Sequence, residues 1–325
     1  MVEELFQLGE KVLADELKVE ELKRYPENLQ ERKFFEKPFR RSALIVSGDR
    51  VKHLRKVFGR DADIIIFNVE DGVSDKNKPF ARLFLRKFLT NTSFDGSKEI
   101  VIRVNPLDSQ YFWEDITKLL PAIPHAIRLS KVETAEDIVV LEGILKAFEL
   151  SKGLEEGTIK LQLSIETGRA IENLGEILRA SKRINAAYLG ILDLFADLKL
   201  SQKLLKTSRF ADYIREKFVL TCRAHNVSSI APAYQDYEDL EGFRKEVERE
   251  KELGFDGKSC ISVKQVGIAN EVFSPSLEEI EEAKEIVKLY EEALREGKGG
   301  ITYKGKFIDQ PIYKDALNKL KYFSS

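Results

Sequence analysis

The sequence predicts a (β/α)8 barrel, and three observations carry that prediction. From Arg41 onward there are eight apolar runs of strand length, most followed by a run of helical period. Such alternation builds a parallel sheet wound with helices. The run Asp63-Ile64-Ile65-Ile66-Phe67-Asn68-Val69 is apolar at consecutive positions, as strands covered on both faces are. Finally, no glycine fingerprint follows the first strand, which disfavours a doubly wound open sheet, the competing architecture.

The elements follow in order. Residues 1–38 form a charged extension in which Leu5, Leu8, Val12, Leu13 and Leu17 recur at helical spacing. One face of it therefore packs on the main domain or on a neighbouring subunit. Pro26 interrupts this segment and Pro38 closes it. The barrel spans 39–273. Its strands are read at 43–46, 63–69, 99–104, 126–129, 159–165, 187–190, 227–230 and 258–263. Helices are read at 49–58, 78–89, 113–120, 136–150, up to 181, 213–225 and 240–253. Residues 274–325 change texture. A charged helix at 277–295 is followed by the break Gly297-Lys298-Gly299-Gly300, a hairpin at 301–307 and a helix at 312–321. This tail is too short for a domain of its own and reads as a helical lid over a barrel mouth, its own or a partner's.

Composition narrows the function classes. The 325 residues are 43% hydrophobic and 33% charged, with a net charge of -2. That balance leaves no basic footprint for nucleic acid and no polybasic membrane patch. Cys222 and Cys260 lie among apolar or small residues, without metal-ligand spacing or a disulfide framework, which fits a reducing cytoplasm. No signal peptide or membrane span is read. High Lys and Glu content with a single Met suits a thermophile.

Chemistry concentrates at strand ends. Leu161-Gln162-Leu163-Ser164-Ile165 leads to Glu166, and Ala187-Tyr188-Leu189-Gly190-Ile191-Leu192 leads to Asp193. In a barrel both acids face one pocket at the carboxyl ends of the strands. A hard divalent cation suits such a pair, since magnesium takes one or two carboxylates and fills its shell with water and substrate oxygens. Helix capping is the open alternative. Arg103 ends an apolar strand and suits either a substrate carboxylate or a salt bridge to Glu70 or Asp71. Lys78 and Arg82, four residues apart, share one helix face. They can grip a polyphosphate or form a solvated basic face. His53, His125 and His225 read as structural, and no nucleophile elbow supports Ser–His–Asp chemistry.

Five blocks agree in order and spacing with one family. They include Arg41-Ser42-Ala43-Leu44-Ile45-Val46-Ser47-Gly48-Asp49-Arg50, Phe67-Asn68-Val69-Glu70-Asp71-Gly72-Val73, Arg103-Val104-Asn105-Pro106 and Ser130-Lys131-Val132-Glu133. Gly254-Phe255-Asp256-Gly257-Lys258, Asn270-Glu271-Val272-Phe273-Ser274-Pro275 and the 297–311 tail match as well. From Arg41 to about Leu317 the chain resembles the citrate lyase β subunit-like branch of the HpcH/HpaI aldolase superfamily. The resemblance implies a usually trimeric barrel that makes or breaks carbon–carbon bonds through a metal-stabilised enolate. It places Glu166 and Asp193 on the family's magnesium ligands and Lys78 and Arg82 on CoA phosphates. It implies a catalytic set of Arg103, Glu70, Asp71 and Asp309, with Asp309 reaching into the adjoining protomer's site to handle a proton.

The implied activity is magnesium-dependent cleavage or formation of a 3-hydroxyacyl-CoA thioester such as citryl-, malyl- or citramalyl-CoA. The alternatives are a CoA-independent hydroxy-keto-acid aldolase and a catalytically weakened assembly or regulatory part, with citrate lyase-type subunits as partners. The chain departs from the family's pattern at Ser47 and Ser130, where relatives have proline, and at Asn68 and Ala231, where they have aspartate. Ser262-Val263 stands where a His-Pro pair is usual. These departures bear on substrate and activity.

Overall fold

Eight parallel strands close on themselves in order in the computed structural model, which describes residues 2–35, 37 and 39–321. They are β1 (Ser42–Ser47), β2 (Ile64–Asn68), β3 (Glu99–Val104), β4 (Ala126–Leu129), β5 (Lys160–Ile165), β6 (Ile184–Leu189), β7 (Ser228–Ala231) and β8 (Gly257–Cys260). The barrel shuts where Ser42 of β1 pairs with Lys258 of β8. Side chains alternate between the two faces of each strand. Ala43, Ile64, Ile66, Val101, Ala126, Ala186, Tyr188 and Ile230 therefore form an inner layer. Ile65, Phe67, Ile100 and Ile102 pack outward into the larger core under the helices. Apolar demand from both sides explains the unbroken hydrophobic runs.

The inner layer rests on a polar floor. Arg40 Nε donates to Glu99 Oε2 at 2.7 Å, Gln162 and Asn185 donate to Glu99 Oε1, and Tyr188 Oη donates to Gln162 Oε1 at 2.6 Å. Burial alone would raise the Glu99 pKa. The Arg40 guanidinium and these hydrogen bonds hold its carboxyl below the ordinary value instead.

Of the boundaries that differ from the sequence reading, three have a clear local reason. The helix read at 49–58 is a short α3 (Val51–Leu54) followed by a 3-10 turn at Val57–Gly59. Val51, Leu54 and Val57 are buried at every third position, a spacing that a tighter turn serves equally well. The apolar run through 190–192 is not strand. It opens α8 (Ile191–Asp197), so Asp193 lies in the first turn of a helix and not on a strand end. β8 stops at Cys260 because Ser262 and Gln265 form a capping box for α11 (Val263–Phe273), a helix absent from the sequence reading.

The extension packs on this chain's own barrel. α1 (Val2–Leu13) buries Leu5, Phe6, Gly9 and Val12. Phe6 lies 5.7 Å from Phe84 and 5.2 Å from Phe88, ring centre to ring centre, both on α4 (Lys78–Thr90). Of the expected apolar face, Leu13 and Leu17 stay exposed. Pro38, the expected end of this segment, lies outside the described residues. At the other end, α12 (Leu277–Arg295), the hairpin β9 (Ile301–Tyr303) and β10 (Lys306–Ile308), and α13 (Gln310–Lys321) share a small core. That core contains Ala283, Ile286, Tyr290, Ile308 and Ala316, with Tyr290 stacked on Tyr313 at 4.7 Å. Among the described residues, no helix is long and apolar enough to cross a membrane.

Candidate active site

The carboxyl ends of the strands open into a cavity of about 1120 Å³. The β2 end contributes Asn68 and Asp71, β3 contributes Arg103, β5 contributes Glu166, and the first turn of α8 contributes Asp193. Placement at strand ends puts side chains at the mouth while their backbones stay fixed by the sheet.

Arg103 is the hub. Its Nη2 lies 2.9 Å from Glu70 Oε2 and 3.0 Å from Glu166 Oε1, and its Nε donates to Ser130 Oγ at 3.0 Å. A guanidinium buried at this depth is tolerable only with such partners. The other oxygen of Glu166 accepts the Lys131 backbone N–H at 3.3 Å. Lys131 adopts a left-handed φ of 51°, an uncommon conformation for a residue with a Cβ and one found at functional turns. Its Nζ stands 3.8 Å from Asp71 Oδ2 and 3.9 Å from Glu70 Oε1. Glu166 crosses directly over Gly190, where a Cβ would meet its Cγ at 2.3 Å.

The acids crowd one another. Burial, with added repulsion from Glu166 and Asp71, pushes Glu70 up to about 7 against the pull of Arg103. Burial and then the Glu166 charge raise Asp193 as well. Such a surplus of carboxylate suits a hard divalent cation. Among the described residues, no group of three or more His, Cys, Asp or Glu is placed to hold a metal. Glu166 and Asp193 thus fit magnesium, which takes one or two carboxylates and completes its shell with water and substrate oxygens. They do not fit an all-protein cage.

Two sequence departures acquire roles. Ser130 supplies Arg103 with an acceptor hydroxyl that proline lacks. Asn68 braces the acidic loop, its Oδ1 accepting the Glu70 N–H at 3.2 Å and its Nδ2 donating to the Asp71 carbonyl.

Lys78 and Arg82 are not where a phosphate could reach them, which corrects the expectation of a basic face. Both are buried. Lys78 Nζ donates to the carbonyls of Val69 and Glu70 and to Asn105 Oδ1. Arg82 is bound to Asp115 at 2.6 Å and to Glu114. The helix face they share points into the body of the protein, where Lys78 braces the Val69–Glu70 backbone and Asn105 and Arg82 holds Asp115, itself bonded to Asn105. Asp309 lies half-buried at the turn before α13, where its carbonyl accepts the Tyr313 N–H at 3.0 Å. It does not line this chain's cavity.

Two features escaped the sequence reading. Arg50, Lys52, His53, Lys56 and Arg60 line the cavity wall. Arg50, Lys52 and Lys56 are exposed, and no ion pair engages Arg50, Lys52, Lys56 or Arg60 among the described residues. Their clustering within eleven residues was a visible signal. His53 therefore belongs to the cavity wall, whereas His125 is structural, its Nδ1 accepting the Ile100 N–H at 2.8 Å. The second feature is Arg128, one residue in a short apolar strand, which also lines the cavity. Nothing in its sequence context marked it.

Comparison with known proteins agrees with this geometry. The HpcH/HpaI aldolase/citrate lyase family model matches residues 41–263. Citrate lyase subunit beta of Haemophilus influenzae is 33% identical over 273 residues, covering 84% of this chain and 93% of that protein. L-malyl-CoA/beta-methylmalyl-CoA lyase of Rhodobacter capsulatus is 31% identical over 287 residues, covering 83% of this chain and 90% of its own. The crystal structure of CitE from Mycobacterium tuberculosis, in complex with magnesium, acetoacetate and coenzyme A, shares the fold with a TM-score of 0.69. It does so at 23% identity, over 87% of this chain and 98% of that one.

Proposed function

Because the chain belongs to the HpcH/HpaI aldolase/citrate lyase family, we propose that it is a magnesium-dependent carbon–carbon lyase for a 3-hydroxyacyl-CoA thioester. The class is that of citryl-, malyl- or citramalyl-CoA, cleaved to acetyl-CoA and a keto acid or formed in reverse. The observation that carries this reading is the meeting of Arg103 and Glu166 beside Asp193 in one cavity, with buried Glu70 paired to Arg103. The lyases named above, similar over most of the chain, support it.

Glu166 and Asp193 would hold the metal. When bound, magnesium supplies Lewis acidity toward the carboxylate and carbonyl oxygens of the keto acid. Arg103, fixed by its two acids, stabilises negative charge as it grows on substrate oxygen. In cleavage the β-hydroxyl proton leaves to a base and the carbon–carbon bond breaks. Its electron pair passes into the thioester as an enolate, which then takes a proton at the α-carbon. Glu70 and Asp71 are the proton-holding groups within the chain, and Asp309 of a neighbouring subunit serves the α-carbon.

The cations Arg50, Lys52, Lys56 and Arg60 replace Lys78 and Arg82 as the CoA phosphate site. Replacing Arg50 and Lys56 together by Ala raises KM for a CoA thioester about tenfold or more with little change in kcat, because remote binding is lost. Steady-state kinetics with citryl-, malyl- and citramalyl-CoA, reading released keto acid, provides the check. An unchanged KM favours the CoA-independent aldolase instead.

We assign a homo-oligomer, a trimer, in which Asp309 of one subunit stands over the metal of the next. Its absence from the lining of its own chain's cavity supports this arrangement. Mixing Asp309→Ala with inactive Glu166→Ala under subunit exchange restores part of the activity, since some sites then carry both an intact metal pair and an intact Asp309. No recovery despite proven exchange removes the cross-subunit role. Two buried, unpaired cysteines support a cytoplasmic setting, and citrate lyase-type subunits are the candidate hetero-partners.

A further inference from the structure

A second arginine lies deep in the same cavity with its charge unanswered. Arg128 on β4 pairs in register with Arg103 on β3 and is only 4% exposed. Its guanidinium lies 3.8 Å over the Tyr188 ring centre, on the inner apolar layer. Its Nε donates to Ser164 Oγ at 2.8 Å. Its buried Nη1 has no hydrogen-bond partner, and no carboxylate forms an ion pair with it among the described residues. The other buried arginines of the barrel interior differ. Arg103 takes Glu70 and Glu166, and Arg40 takes Glu99. Burial, and then the nearby Arg103 charge, bring the Arg128 pKa down to about 10.

A buried cation without an anion is strongly unfavourable, and an unsatisfied buried donor adds to that cost. Both are relieved when an anion enters the cavity. Arg103 already answers two protein carboxylates through one nitrogen and serves the oxygen at the reacting centre, so Arg128 is the cation left for a further anion. We infer that Arg128 is a specificity-determining residue that receives a second substrate carboxylate at the cavity floor. On this inference the keto acid released or consumed is a 2-oxo diacid and not a 2-oxo monoacid. The inference rests on the lyase reading above and names the substrate class within it.

The test is calorimetry with magnesium present, using oxaloacetate as the diacid and pyruvate as the monoacid. The wild-type protein binds oxaloacetate about tenfold or more tightly than pyruvate, the size of one charge-assisted hydrogen-bond pair. Arg128→Gln loses that preference while its pyruvate affinity stays within about threefold. A second measurement needs no variant: at equal concentration, oxaloacetate raises the Tm of the wild-type protein more than pyruvate does. Equal affinity and equal Tm shift for the two acids overturn the inference and leave the lyase reading standing. Equal loss of both acids in Arg128→Gln also overturns it, because Arg128 would then serve a carboxylate common to both. Failure of wild-type protein to bind either acid, with no cleavage of any of the three thioesters, overturns the inference together with the lyase reading.

Discussion

Alanine at Glu166 or at Asp193 removes magnesium-dependent turnover by about 10³-fold or more, the scale expected when several kcal/mol of transition-state charge stabilisation are lost. Both variants keep the barrel folded. Asp193 is exposed at the cavity mouth, so its loss leaves the unfolding transition close to that of wild type. Glu166 is buried and pairs with Arg103, but Arg103 retains Glu70, so no guanidinium is left without an anion. Glu166→Gln keeps the shape while removing the charge, and serves as the control. Titration calorimetry with magnesium is the direct measurement. Wild-type affinity in both alanine variants would take the metal away from these residues.

Arg82→Ala destabilises the fold by about 3–5 kcal/mol, the cost of leaving a buried charge without its partner. Asp115 is fully buried, and Arg82 is its cation. The other Asp115 oxygen accepts the Asn105 backbone N–H at 2.9 Å and the Asn105 side chain at 2.6 Å. Asn105 in turn donates to the Val69 carbonyl, next to Glu70. Urea denaturation reads the stability loss. KM for a CoA thioester changes far less in Arg82→Ala than in the Arg50 and Lys56 variant. An Arg82 variant as stable as wild type but with a raised KM would return the residue to substrate binding.

How far the sequence could be read depended on what each residue type reveals. Strand 99–104 and the charged helix at 277–295 were legible to the residue, because consecutive apolar positions and a charged run ended by the glycines at 297–300 are strong local signals. Glu166 was legible through its place after an apolar run. Asp193 was misplaced by one element because Gly190-Ile191-Leu192 is equally apolar as strand or as a buried helix start. Lys78 and Arg82 were misread because spacing says which residues share a helix face and not whether that face is wet. Here Asp115, Glu114 and Asn105 lie across from it, all distant in sequence. Arg128 was illegible for the same reason: its isolation is a property of what surrounds it.

The close passage of Glu166 over Gly190 has a consequence for how such a site can be lost through descent. A Cβ at this position would collide at 2.3 Å with the middle of the Glu166 side chain, not with its movable tip. Any residue other than glycine therefore displaces the acid without altering it. A duplicated copy released from selection has an easy route to silence here, since one base change at a glycine codon leaves the barrel and the codons of both acids intact. Among descendants of this fold, an inactive scaffold can be recognised by a side chain at this position, even where every residue of the acidic pair is still spelled out in its gene.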